Sequence, residues 1–183
     1  KTGRLSIPDN DSAGEMYELT QILTDAAGLP AYEVSNHAAS GQESLHNLSY
    51  WRYADYAGTG PGAHGRLTLD GRKYATRGHR APALWLAQTL QKGNGAHPFE
   101  VIDPASAATE KIMMGLRIRE GINLEKISVL ADMPWQSLIN EHALNALIRE
   151  NLLSRENHVI RPTTHGLQKL DGILGMLLDQ SAA

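Results

Sequence analysis

No cysteine occurs anywhere in the 183 residues. That absence excludes disulfides, thiolate catalysis, cysteine-ligated zinc and a cysteine-held iron–sulfur cluster within this chain. No apolar run is long enough to span a bilayer, so no integral membrane segment is expected. Nor does a basic, apolar and small-residue leader open the sequence, which makes the cytoplasm the default compartment. Basic residues are not in excess: 17 Lys and Arg stand against 20 Asp and Glu, for a formal net charge of −3. A dedicated nucleic-acid binder usually shows a basic footprint, so nucleic acid is not an expected partner. Internal repeats and low-complexity tracts are also missing. The first residue is Lys1 rather than methionine, as expected of a processed or excised piece.

What is present is enough chain for one large domain or two small ones with an ordinary core. Chemistry concentrates in His46-Asn47-Leu48-Ser49-Tyr50-Trp51, where imidazole, amide, phenol and indole sit close together. Histidine can ligate a metal or haem iron, and Tyr and Trp offer flat surfaces suited to a planar ligand. The competing reading makes Tyr50 and Trp51 packing aromatics and His46 a hydrogen-bonded structural histidine. Tyr32-Glu33-Val34-Ser35-Asn36 precedes this block, and Gly58-Thr59-Gly60-Pro61-Gly62-Ala63-His64 follows it. The glycine run is either a phosphate-cradling loop or a strand end that passes close to another backbone. It lacks a Walker ending and the dinucleotide fingerprint. His37, His46 and His64 share no helical face, and a cysteine-free structural zinc site would be unusual.

Along the chain, after a polar lead-in to Asn10, Ser12 to Glu15 has capping-box spacing and apolar residues then recur from Met16 to Ala26, which predicts an amphipathic helix over 13–27. Ala31 to Ser35 reads as a short strand and residues 37–46 as an exposed, mobile loop. Arg66 to Leu69 and Arg72 to Thr76, around Asp70-Gly71, form a hairpin pattern. Pro82 opens a helix bearing Leu84, Trp85, Leu86 and Leu90. Residues 94–98 form a Gly/Pro-interrupted linker, after which everything looks helical except one hairpin. A helix over 105–118 is expected to bury Ile112, Met113 and Leu116. Asn123 caps a second helix with Leu124, Ile127, Val129 and Leu130. A third, from Pro134, places Trp135, Leu138, Ile139, His142, Ala146 and Leu147 on one face, with His142 a satisfied core histidine. Leu152 to Arg155 and His158 to Arg161 make a wing, and Thr163 caps a last helix carrying Leu167, Leu170, Leu174 and Leu177. This is a winged-helix-like plan, yet its would-be recognition helix is mixed and mildly acidic, which offers DNA phosphates little. A packing domain is the favoured reading.

At these residues the chain resembles the oxygen-independent coproporphyrinogen III oxidase-like radical-SAM family. The likeness is greatest to its haem-chaperone branch, where a His-Asn-x-x-Tyr-Trp motif is associated with haem. The Gly-x-Gly-Pro-Gly-Ala segment, Met114-Gly115-Leu116-Arg117 with Glu120-Gly121, Asn151-Leu152-Leu153, and Thr163 to Gly166 match further family segments. The resemblance implies an α/β fold: the C-terminal part of an incomplete radical-SAM (TIM-like) barrel over 1–98, followed by a mostly helical winged-helix-like domain over 99–183. It implies haem or porphyrin as ligand, with His46 as axial ligand, Asn47 orienting it or the loop, and Tyr50 and Trp51 packing the macrocycle or holding the motif. Gly58, Gly60, Gly62, Ala63 and His64 would form one wall of an S-adenosylmethionine pocket. The family's Cys-x-x-x-Cys-x-x-Cys segment, which ligates a 4Fe–4S cluster, has no counterpart here, so a C-terminal fragment inactive as a radical enzyme is expected. Implied activities are haem chaperoning, with a haem-recipient protein as partner, or coproporphyrinogen decarboxylation. The alternative is a scaffold module without a small ligand. Uncovered barrel strands would leave residues 13–90 with exposed apolar surface and a tendency to self-associate.

Overall fold

The computed structural model describes residues 7–179. The polar lead-in through residue 6 and the last four residues lie outside them. Helix α1 (Asn10–Ala26) starts earlier than the spacing predicts, because Asp9 rather than Ser12 is the cap, its carboxylate accepting the Ser12 amide at 2.8 Å. Residues 31–35 do not form a strand in a ladder. Ala31 and Glu33 make isolated bridges to His37 and Ile118, and the Tyr32 amide closes a turn onto the Asn36 carbonyl at 3.0 Å. Helix α2 (Leu45–Trp51) follows, capped by Ser44. The expected hairpin is present as β1 (His64–Leu69) and β2 (Arg72–Arg77). Asp70 and Gly71 take left-handed φ values of 48° and 75°, the geometry a two-residue turn between twisted strands requires. Pro82 opens α3 (Pro82–Lys92), which Gly93 ends in the left-handed region.

The chain beyond residue 98 carries more β structure than one hairpin. Strand β3 (Glu100–Val101) pairs back onto β2, giving the order β1-β2-β3. Helix α4 (Pro104–Gly115) is followed by β4 (Ile122–Asn123), α5 (Leu124–Ala131), a 3-10 turn (Trp135–Ser137), α6 (Glu141–Arg149), β5 (Leu153–Glu156) and β6 (Val159–Pro162). Strands β5 and β6, where a wing is expected, are joined by β4 in the order β4-β6-β5. The chain closes with α7 (Thr164–Leu167) and α8 (Leu170–Leu178).

The third helix expected from Pro134 is broken in two by Asn140. This buried side chain accepts the Ala143 amide at 3.0 Å and donates to the Asp179 carbonyl, and its backbone N–H donates to the Leu177 carbonyl. A side chain that caps one helix and ties it to another can end a helical periodicity without a proline or glycine. The break rotates His142 into solvent, so it is not a core histidine; Met113, expected inside, is exposed as well, as is Val129 on α5. The core gathers Ile112, Leu116, Leu124, Ile127, Ile139, Leu144, Leu153, Ile160, Ile173 and Leu177, chiefly from α4, α5, α6, α8 and the β5–β6 pair. By contrast α1 and α3 bury no residue. Met16, Leu19, Ile22 and Leu23 on α1, with Leu84, Leu86 and Leu90 on α3, face outward, as expected for residues 13–90.

Candidate functional site

The aromatic block folds as α2 because Ser44 accepts the Asn47 amide at 3.3 Å, a cap that the mobile-loop reading of residues 37–46 passes over. One turn of helix separates His46 from Tyr50, so their rings meet edge to face with centroids 4.8 Å apart. Tyr50 in turn packs edge-on against Tyr56 at 4.4 Å. The His46 imidazole is exposed and has no hydrogen-bond or ion-pair partner among the described residues.

Asn47 and Trp51 point to other neighbours. The Asn47 amide nitrogen donates to the Tyr32 hydroxyl at 3.1 Å. Tyr32 belongs to the Tyr32–Asn36 turn, which the buried Glu33 staples. One carboxylate oxygen of Glu33 accepts from the Ser35 amide, the Ser35 hydroxyl and the Asn36 side chain, at 2.9, 3.0 and 2.5 Å. The Tyr17 hydroxyl donates to the Val34 carbonyl at 3.1 Å, and burial, with Glu33 nearby, pushes its phenol up. Trp51 lies beneath the Arg117 guanidinium, 4.8 Å from the ring centroid. Its indole nitrogen, the Arg117 Nε and the second Glu33 oxygen are buried without a protein partner.

A second group, invisible in the motif pattern, ties β1 and the segment after α2 to α4. Glu110 accepts two hydrogen bonds from Arg66, both 2.8 Å, and one from the Tyr53 hydroxyl at 2.7 Å. The Arg66 hydrogen bond holds the Glu110 carboxyl below its ordinary value, whereas burial followed by Glu110 itself pushes the Tyr53 phenol up. Lys73 sits over the Tyr53 ring at 4.7 Å and pairs with Asp55 at 2.6 Å. Only a charged residue beside the apolar face of α4 hinted at this network in the sequence.

The glycine run is explained by close approach rather than by an open anion cradle. A Cβ at Gly58 would lie 2.2 Å from the His64 carbonyl oxygen, and one at Gly78 would lie 2.5 Å from that of Gly60. The Gly62 amide donates to the His79 carbonyl and the Ala63 amide to that of Gly60, so two of its donors are already satisfied. His64 is exposed at the start of β1. His37 is tied to the Thr24 hydroxyl at 2.9 Å. Among the described residues no three His, Asp or Glu side chains come together as a metal site, so His37, His46 and His64 are not gathered.

The fold and this constellation define a mixed α/β protein in which the aromatic helix α2 lies between a carboxylate-stapled turn and a packed C-terminal half. Residues 102–168 match the HemN C-terminal domain family. Over 97% of its length the chain is 31% identical to the zebrafish (Danio rerio) radical S-adenosyl methionine domain-containing protein 1, mitochondrial, of which it covers 41%. Over 92% of its length it is 32% identical to the heme chaperone HemW of Lactococcus lactis, of which it covers 42%. The coproporphyrinogen III oxidase (HemN) of Escherichia coli, a radical SAM enzyme, superposes with a TM-score of 0.70 over 95% of this chain and 42% of that one, at 13% identity. The likeness to HemN-like radical-SAM proteins runs along nearly the whole chain, which spans about two-fifths of the length of the relatives it matches.

Proposed function

We propose that the protein containing this chain is a haem chaperone that takes haem on the exposed face of α2, with His46 as the axial ligand, and passes it to a recipient protein. The observation that carries this reading is the His46 imidazole itself: exposed, unpartnered, and braced at its edge by Tyr50 on a capped helix. An iron ligand needs a free ring nitrogen and a fixed ring. Asn47 and Trp51 serve the reading indirectly, holding the helix through Tyr32 and Arg117. The likeness to a heme chaperone at 32% identity supports this reading over coproporphyrinogen decarboxylation. The oxidase-type relative is matched in fold alone.

The finer architecture is proposed on the same footing: an incomplete barrel over 1–98, with a winged-helix-like domain over 99–183. In the whole protein, the likeness to radical-SAM relatives would imply a 4Fe–4S cluster and S-adenosylmethionine. The residues here do not fit the cluster, since a chain without cysteine offers no thiolate to iron. For S-adenosylmethionine, Gly58, Gly60, Gly62, Ala63 and His64 would supply one wall. The satisfied amides of Gly62 and Ala63 leave the loop's outer edge at Gly58 to Gly60 as the contact.

The test is an absorption titration of the chain with haem. His46→Ala is expected to shift the Soret band and weaken binding. Trp51→Ala is expected to leave the spectrum unaltered while lowering the melting temperature, because it removes the surface under Arg117 and not an iron ligand. An unchanged Soret band for His46→Ala would remove it as the ligand. Consumption of coproporphyrinogen by the full-length protein would overturn the chaperone reading.

A further inference from the structure

A cavity of about 490 Å³ opens between the β1–β2 hairpin and the α4–α5 pair. Its walls are mainly apolar, contributed by Val101, Ile102, Pro104, Ala107 and Leu130. This size lies within the roughly 300–1,000 Å³ of small-molecule sites, which combine apolar walls with a few placed polar groups.

The charged groups in the lining are Arg72, Lys73, Asp103 and Lys111. Two of them are already engaged. Lys73 pairs with Asp55 at 2.6 Å, and Asp103 caps α4 by accepting the Ser106 amide at 2.9 Å. Lys111 has neither hydrogen bond nor ion pair among the described residues, although its side chain is half-buried. Arg72, at the exposed mouth, is likewise unpaired. An ammonium withdrawn from water without a counter-charge is costly, and an arriving anion removes that cost. Burial, with Lys126 and Lys73 near, pulls the Lys111 ammonium below its ordinary value, in keeping with a cation lacking its partner.

We propose that this cavity is a binding site for an amphipathic organic anion, a single carboxylate on an apolar body, with Lys111 meeting the carboxylate and the Val101–Pro104 and Leu130 walls covering the body. The site is separate from α2 and does not depend on haem binding there.

The probe is decanoate, titrated into the chain by calorimetry, with decanol as the uncharged control. Decanoate is expected to bind measurably more tightly than decanol. Lys111→Met keeps the stem but removes the charge, and should weaken decanoate by about tenfold, as for the loss of one charge-assisted hydrogen bond, with decanol unaffected. Lys111→Arg should retain binding. Val101→Glu, at an exposed wall position that the core does not use, should abolish decanoate binding without unfolding the chain. His46→Ala should leave it unchanged, which separates this site from the haem motif. Equal affinity for decanoate and decanol, an unaffected Lys111→Met titration, or no binding at millimolar decanoate would each overturn the proposal.

Discussion

Helices α1 and α5 are both amphipathic and have opposite fates. The 17-residue α1 buries none of its side chains, whereas the 8-residue α5 buries Leu124, Ile127 and Ala131. Helical periodicity therefore shows which face of a helix is apolar, and tertiary contact decides whether that face is covered. Beyond residue 98 the faces of α4, α5, α6 and α8 converge on one cluster. Before it, α1 is held by polar threads instead: Tyr17 to Val34, Thr24 to His37, and Glu18 to Gln168. An amphipathic helix thus joins a core in one half and leaves an open surface in the other.

The largest expected effect tests that difference directly. Leu144 is fully buried in the core cluster. Leu144→Ala should cost about 2–5 kcal/mol of unfolding free energy, through lost transfer energy and the cavity left behind. Leu19→Ala on α1, where the side chain is 55% exposed, should stay within about 0.5 kcal/mol. Denaturant titration of both variants checks the pair. Comparable losses would show that α1 is covered in solution.

The joint between the halves should rank next. Glu110 receives Arg66 and Tyr53 from the first half while riding on α4 of the second. Removing it in Glu110→Ala leaves a partly buried guanidinium and a phenol unpaired, for about 1.5–3 kcal/mol. The Arg66 contact lowers the Glu110 carboxyl from its ordinary 4.5. Its stabilisation is therefore fully present above about pH 4.5 and lost as pH falls through the depressed value. Melting temperatures measured between pH 6 and pH 3 should fall more steeply for the parent than for Glu110→Gln. Parallel curves would show that the pair contributes nothing to the acid limb.

This contrast also explains what the sequence could convey. Local signals were legible: Asp70-Gly71 gave the hairpin, Pro82 and Gly93 the two ends of α3, and Asn123 and Thr163 their caps, each acting over a few residues. The readings that failed depended on distant partners. Asn140 ends a helix because Leu177 and Asp179 reach it from the far end of the chain. Ala31 to Ser35 has strand composition, but a buried carboxylate folds it into a turn. At the candidate site the residue types of α2 were readable, while the division of labour was not. That His46 stays free, with Asn47 and Trp51 turned to Tyr32 and Arg117, follows from neighbours 15 and more residues away.

The smallest effect on stability is expected where the effect on association is greatest. On α1, Met16, Leu19, Ile22 and Leu23 are 55–65% exposed and lie on neighbouring helical positions. Contiguous apolar surface of this kind marks an interaction site or an association liability. A second copy of the chain presents the same patch, and pairing two such faces removes both from water without disturbing the core. The double variant Leu19→Glu with Leu23→Glu should change the unfolding free energy by less than about 0.5 kcal/mol, because neither side chain packs inside. It should also convert a chain whose sedimentation coefficient rises with concentration into one whose coefficient stays constant. Salt offers a second check: apolar pairing persists at high ionic strength, whereas pairing through charges would fade as they are screened. A parent chain that sediments as a monomer at every concentration would show that this face is not self-complementary, and the comparison between α1 and α5 would then rest on burial alone.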